Sequence, residues 1–144
     1  MDCRKSFYEF GRALYKIDGF YAEYAKTSGV KENLLWVLYA LNDGNKHSQK
    51  EICESWDLPR TTVNTIVKEL EEEGYVALSQ IKGEKRELEL ALTEKGKAYA
   101  ESLLSELYEI ESKAFGLLKE LDLANKMSLL LSELQNKKKE VEAK

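Results

Sequence analysis

The stretch Ser48–Gly96, SQKEICESWDLPRTTVNTIVKELEEEGYVALSQIKGEKRELELALTEKG, decides the fold. It opens on Ser48-Gln49-Lys50-Glu51, a capping box in which the serine hydroxyl accepts from the Glu51 amide and the Glu51 carboxylate reaches back to the serine amide. A short helix then runs through Ile52 and Cys53 to about Trp56. Pro59 marks a new helix start, because its fixed φ and missing N–H are harmless in a first turn. Val63, Ile66, Val67 and Leu70 form the buried side of this 60–73 helix, leaving Arg60, Thr61, Asn64, Thr65 and Lys68 opposite, with Gly74 as C-cap. From there the apolar period becomes two: Val76, Leu78 and Gln80 alternate, then Leu88, Leu90 and Leu92 against Glu87 and Glu89. The intervening Ile81-Lys82-Gly83-Glu84-Lys85-Arg86 is too polar for a core and reads as a hairpin tip.

Helices flank this unit on both sides. Phe7, Phe10, Leu14, Ile17, Tyr21 and Tyr24 recur at helical spacing over about 4–26, an amphipathic helix with an aromatic stripe, and Gly29 ends it. Glu32 to Leu41 is a second, mostly buried helix, broken by Asn42-Asp43-Gly44-Asn45. Thr93 caps a long helix whose stripe is Leu103, Leu107, Ile110, Ala114 and Leu118; after a break near Leu121-Asp122, a last helix carries Met127, Leu130, Leu131 and Leu134. The tail Lys137-Lys138-Lys139 reads as a solvated, fraying end. Helix, short helix, polar-faced helix and basic hairpin make a winged helix-turn-helix, so the expected fold is mainly α with a small β-hairpin.

Composition narrows the function. With 144 residues the chain can bury a core without disulfides or metal, and 43% hydrophobic with 33% charged residues is ordinary for a globular domain. Leu34 to Leu41 is the longest apolar run, far short of a membrane span, and no apolar core follows Arg4 and Lys5 as a signal peptide requires. Cys3 and Cys53 therefore read as reduced thiols of a cytoplasmic protein. A single histidine, His47, without a nucleophile or metal-ligand set around it, and glycines scattered singly rather than in a phosphate loop, give no support to an enzyme, a cofactor or a metal site.

The charge balance is acidic, with net charge −4, yet cations gather where this fold places its working face. Segments 46–50, 60–68 and 82–86 supply Lys46, Lys50, Arg60, Lys68, Lys82, Lys85 and Arg86 against Glu84 alone, while Glu69, Glu71, Glu72 and Glu73 lie apart. The mechanics suit double-stranded DNA. The polar side of the 60–73 helix has the width to enter a major groove, where Asn64 can pair with adenine and Arg60 with guanine or phosphate, alongside Thr61, Thr62, Thr65 and Lys68. Ser48 and Gln49 at the preceding helix N-terminus can donate to phosphate, and the hairpin, through Lys82, Lys85 and Arg86, can reach the flanking minor groove.

This stretch resembles the MarR family of bacterial transcription regulators. "PRTTVNTIVKELEEEGYV" and "LTEKG" match the family's pattern, and the flanking long helices match its layout over essentially the whole chain. The resemblance implies one domain over residues 1–144, with 1–30 and 98–144 as dimerisation helices and 31–97 as the winged helix-turn-helix. It implies a homodimer on a pseudo-palindromic operator, and repression relieved by a small-molecule effector held between the dimerisation and DNA-binding regions. Two departures stand out: Ala77, Leu78 and Ser79 occupy the place of a customary Arg, and the wing has Glu84 where the family has Asp before Arg86.

Blander readings compete. The same face on an acidic chain also fits a winged-helix module that docks a protein partner instead of specific DNA. Phe7, Phe10, Tyr21 and Tyr24 read as dimer core, some of them doubling as pocket lining; Trp36 and Trp56 read as packing residues. Cys3 lacks a resolving partner for redox sensing, Cys53 reads as buried and inert, and His47 as a loop residue near phosphate.

Overall fold

The computed structural model describes residues 2–81, 83 and 88–144. Among the described residues, six helices and three short strands follow one another as α1 (Cys3–Thr27), α2 (Glu32–Leu41), β1 (His47–Ser48), α3 (Gln49–Trp56), α4 (Arg60–Glu72), β2 (Val76–Gln80), β3 (Leu88–Leu92), α5 (Glu94–Phe115) and α6 (Leu123–Glu142). A single 3₁₀ turn, Lys119–Leu121, lies between α5 and α6. Residues 1–105 and 106–144 form two compact units, the boundary falling within α5.

In the first unit α2 is the central element. Its sequence is apolar nearly all round, and Leu35, Val37, Leu38 and Leu41 are fully enclosed. It packs against α1, α3 and α4. Ile52 from α3, Val63, Val67 and Leu70 from α4, Val76 and Leu90 from the sheet, and Ala100 and Leu104 from α5 complete this core. Truncating any one of its enclosed leucines to alanine removes ~2–5 kcal/mol.

Helix ends follow local chemistry. The Asp2 carboxylate accepts from the Lys5 amide at the start of α1. Gly29, at φ +78°, turns the chain after α1, its amide reaching the Lys26 carbonyl and that of Val30 the Ala25 carbonyl. Gly74 repeats the arrangement after α4, with Tyr75 N–H donating to Leu70 O at 2.8 Å. Between α3 and α4 no glycine is present, and Asp57 itself adopts the left-handed conformation at φ 51°.

Four details differ from the sequence reading. The sheet has three strands, ordered β1-β3-β2, because His47 and Ser48 pair with Leu90 and Glu89. The pair is only two residues long and carries no alternating pattern. The extended conformation of an N-cap residue makes the pairing possible: Ser48, at ψ 151°, ends β1 and caps α3 in one conformation. Secondly, α5 stops at Phe115, so Leu118 lies beyond its stripe. Thirdly, Lys137-Lys138-Lys139 is helical, not frayed, within α6; Lys137 pairs with Glu140 and Lys138 with Glu142, one turn on. Finally, Cys53 is only half-buried.

The flanking helices keep apolar surface exposed on the single chain. Phe7, Leu14, Ile17 and Phe20 on α1, and Leu129, Leu131, Leu134 and Val141 on α6, are all exposed. Among the described residues, no helix is long and apolar enough to cross a membrane.

Candidate nucleic-acid interface

Burial sorts the α4 side chains. Val63, Ile66, Val67 and Leu70 face the core, while Arg60, Thr61, Asn64, Thr65 and Lys68 are exposed on the side away from it. Residues 61, 64, 65 and 68 are neighbours on a 3.6-residue spiral, so they form one strip along the helix. The Thr65 hydroxyl donates back to the Thr61 backbone carbonyl at 3.1 Å, which fixes the Thr65 side chain against its own helix. Thr62 is half-buried on the flank and lines a hollow with Lys31, Asn33 and Leu34, a hollow that the exposed Thr65 also borders. Among the described residues no side chain caps the α4 N-terminus, where Pro59 precedes Arg60, so its first-turn amides keep their attraction for an anion.

Helix α3 presents its N-terminus through Ser48, whose Oγ accepts from the Glu51 amide at 2.9 Å. The reciprocal half of the expected box is absent. The Glu51 carboxylate turns instead to His47 Nδ1, 3.0 Å away, and Asp43 takes Nε2 at 2.8 Å. His47 is thus clamped between two carboxylates, joining the loop after α2 to the first turn of α3. Burial alone lowers its pKa; the hydrogen bonds and charges of Asp43 and Glu51 outweigh that and hold it above the ordinary histidine value. The His47 hydrogen bond chiefly holds the Asp43 carboxyl below its ordinary range. The 43, 47, 51 spacing was the available signal for this clamp, and the sequence reading did not use it.

Lys46, Lys50, Arg60 and Lys68 are exposed, and among the described residues none forms an ion pair. Gln49 is half-buried beside them in sequence. The β2–β3 hairpin pairs in the register Val76↔Leu92 through Gln80↔Leu88. Lys82, Lys85 and Arg86, assigned to its tip, lie outside the described residues.

A separate group fixes the sheet against α5. The Thr93 hydroxyl donates to the Gly74 carbonyl at 2.6 Å and accepts from the Gly96 amide at 3.0 Å; its own amide donates to Tyr75 O at 3.0 Å. Lys95 Nζ donates to Glu73 O at 2.6 Å and lies 5.0 Å from the Tyr75 ring centre. Gly96 lies so close to the Tyr75 carbonyl that a Cβ would overlap it. Tyr75 stacks on Tyr99 at 4.4 Å. The run Leu92-Thr93-Glu94-Lys95-Gly96 is therefore the seam that ties the end of α4, the first wing strand and α5 together.

A MarR family model matches residues 28–87, the segment containing α2 through β2. Over a wider span, the structure of NMB1585, a MarR family regulator from Neisseria meningitidis, is 30% identical, covers 89% of this chain and 97% of its own, and superposes with a TM-score of 0.69. The chain belongs to the MarR family. Its relatives are transcription regulators, not enzymes, and this MarR protein is one of them. The HTH-type transcriptional regulator SarZ of Staphylococcus epidermidis is 28% identical over 116 residues, 81% of this chain and 74% of SarZ. Reduced AbfR bound to DNA, a Staphylococcus epidermidis protein, is 21% identical with a TM-score of 0.59, covering 84% of this chain and 98% of AbfR. At that identity the likeness is one of fold.

Proposed function

We propose that this MarR family regulator is a homodimeric repressor that binds a pseudo-palindromic operator and releases it on binding a small-molecule effector. The single observation that carries the DNA-binding part is the α4 strip: Thr61, Asn64, Thr65 and Lys68 side by side, exposed, with Arg60 at its head. Asn64 reads a base edge, Arg60 a guanine or phosphate, and Lys68 a phosphate. Ser48 and Gln49 anchor the backbone at the α3 N-terminus, Thr62 supports the flank, and Lys82, Lys85 and Arg86 serve the wing.

Dimerisation is assigned to residues 1–30 and 98–144, around the winged helix-turn-helix of 31–97. The exposed apolar residues of α1 and α6 support it, since a soluble single chain rarely leaves that much apolar helix surface uncovered. Such a dimer sets its two α4 helices ~34 Å apart, one DNA turn. An effector lowers DNA affinity to the extent that it binds better to a dimer with another spacing.

The test is fluorescence anisotropy with the protein's own upstream promoter and a scrambled duplex across a salt series. Preference for the promoter, with a ~10³–10⁵ loss between ~50 and ~200 mM salt for six to ten phosphate contacts, is the expected result. A folded protein that binds neither duplex refutes the operator reading and favours docking of a protein partner through the same face.

A further inference from the structure

Next to the first turn of α2 the molecule holds an acidic, aromatic hollow. On the single chain it has a volume of 440 Å³ and is lined by Leu14, Tyr15, Ile17, Asp18, Tyr21 and Trp36, from α1 and α2, Leu14 and Ile17 being also part of the apolar α1 face assigned above to the dimer. That volume falls within the range of small-molecule sites. Tyr21 and Trp36 meet at 4.9 Å and give the hollow an aromatic wall, and Trp36 also stacks on Trp56 at 5.4 Å with 28° between planes. Such rings present a negative face to whatever enters.

The polar groups at the hollow carry one sign. Asp18 is exposed at its rim. Glu32 accepts from the Trp36 indole at 3.4 Å. Burial raises the Glu32 carboxyl, the Trp36 hydrogen bond lowers it in part, and the charge of Asp18 and a hydrogen bond with it raise it again, which places the two carboxyls side by side. Among the described residues neither is in an ion pair, and no lysine or arginine lines the hollow, although the chain carries 22 of them. A pair of adjacent carboxyls on an aromatic wall, with no cation supplied by the fold, is complementary to a cation that brings its own apolar body.

We propose that this hollow binds a lipophilic organic cation, its charge against Asp18 and Glu32 and its rings or alkyl groups against Tyr21 and Trp36. The proposal deepens the effector reading above by naming the chemical class the regulator answers to, and rests on that reading only for its consequence on DNA. The charge selectivity is specific: an anionic aromatic acid finds no partner there.

The probes are tetraphenylphosphonium and tetraphenylborate, matched in shape and opposite in charge, added to the full-length protein without DNA and followed by tryptophan fluorescence and calorimetry. The expected result is saturable binding of the phosphonium, negligible binding of the borate, and a loss of roughly tenfold or more in phosphonium affinity for Asp18→Asn. Asp18 is exposed, so that variant keeps its fold; Glu32→Gln gives a second reading, and Glu23→Gln, elsewhere on α1, leaves affinity unchanged. Equal or tighter binding of the borate, binding of neither ion, or phosphonium binding that survives both carboxylate substitutions overturns the proposal. So does a shift in dimer dissociation rather than in phosphonium affinity for Asp18→Asn, which would make a second copy the occupant. Adding phosphonium to the promoter complex then tests the repressor reading separately: binding to the protein with no release of DNA leaves this site standing and refutes effector relief through it.

Discussion

Replacing Gly96 with alanine tests whether the seam between α5 and the wing is as tight as the geometry requires. Elsewhere in a helix the exchange is favourable by ~1 kcal/mol, because alanine loses less backbone freedom on folding. At Gly96 the new methyl would overlap the Tyr75 carbonyl, a backbone atom that cannot swing aside. Relief requires the first turn of α5 to move off the α4–β2 turn. That movement strains three hydrogen bonds: Thr93 N–H to Tyr75 O, the Thr93 hydroxyl to Gly74 O, and Lys95 Nζ to Glu73 O. Each is worth ~0.5–1.5 kcal/mol net, so losing all three and regaining ~1 kcal/mol of helix preference leaves a destabilisation of ~0.5–3.5 kcal/mol. In urea this is a fall in midpoint of about 1 M at unchanged slope. Unfolding is compared at one protein concentration, since a dimer's midpoint depends on it. Gly19→Ala is the internal reference: it lies inside α1 with nothing within 4 Å of a new Cβ, so its midpoint holds or rises. A Gly96→Ala protein as stable as wild type, or more stable, refutes the seam.

Other substitutions separate the roles assigned to the DNA face and its supports. Asn64→Ala should cost ~1–3 kcal/mol at one base pair and relax preference there, whereas Lys68→Ala and Arg86→Ala weaken binding evenly and reduce the salt slope by about one each; equal losses on specific and random duplex for Asn64→Ala sink its base-reading role. Ser48→Ala removes the α3 cap and should lower stability by ~0.5–2 kcal/mol in a denaturant titration, with no change disproving the cap. His47→Gln removes the clamp, and its effect depends on pH in a defined direction. The folded pKa of His47 lies above its unfolded value, so its contribution is complete below the ordinary histidine range and fades as pH rises through the raised folded value. Asp43 behaves oppositely, contributing above the ordinary carboxylate range and losing it as pH falls through its lowered value. The stability gap between wild type and His47→Gln should therefore be widest near about pH 5 and narrow toward about pH 8; a gap that widens with pH contradicts the clamp.

The sequence by itself determined the order of the helices and of the two hairpin strands. Periodicity marked Glu32–Leu41 to the residue, and the change from a period of 3.6 to one of two marked the strands Val76–Gln80 and Leu88–Leu92. These signals are local: an apolar stripe, a proline, a glycine or a serine acts on the chain within a turn or two of itself. The polar face of α4 was legible for the same reason, since burying Val63, Ile66, Val67 and Leu70 leaves 61, 64, 65 and 68 no other direction. What only the tertiary structure decided was which distant groups meet. The His47–Ser48 strand is too short to have a pattern, and exists because β3 is there to pair with it. The Glu51 carboxylate leaves its own helix cap because a histidine four residues earlier, held in place by that pairing, offers a ring nitrogen at 3.0 Å in its stead. Gly96 looked like one more small residue until Tyr75 was folded against it, and Asp18 and Glu32 were two unrelated acids until α1 and α2 packed. Contacts of this kind depend on where separate elements come together, and no spacing along the chain encodes that distance.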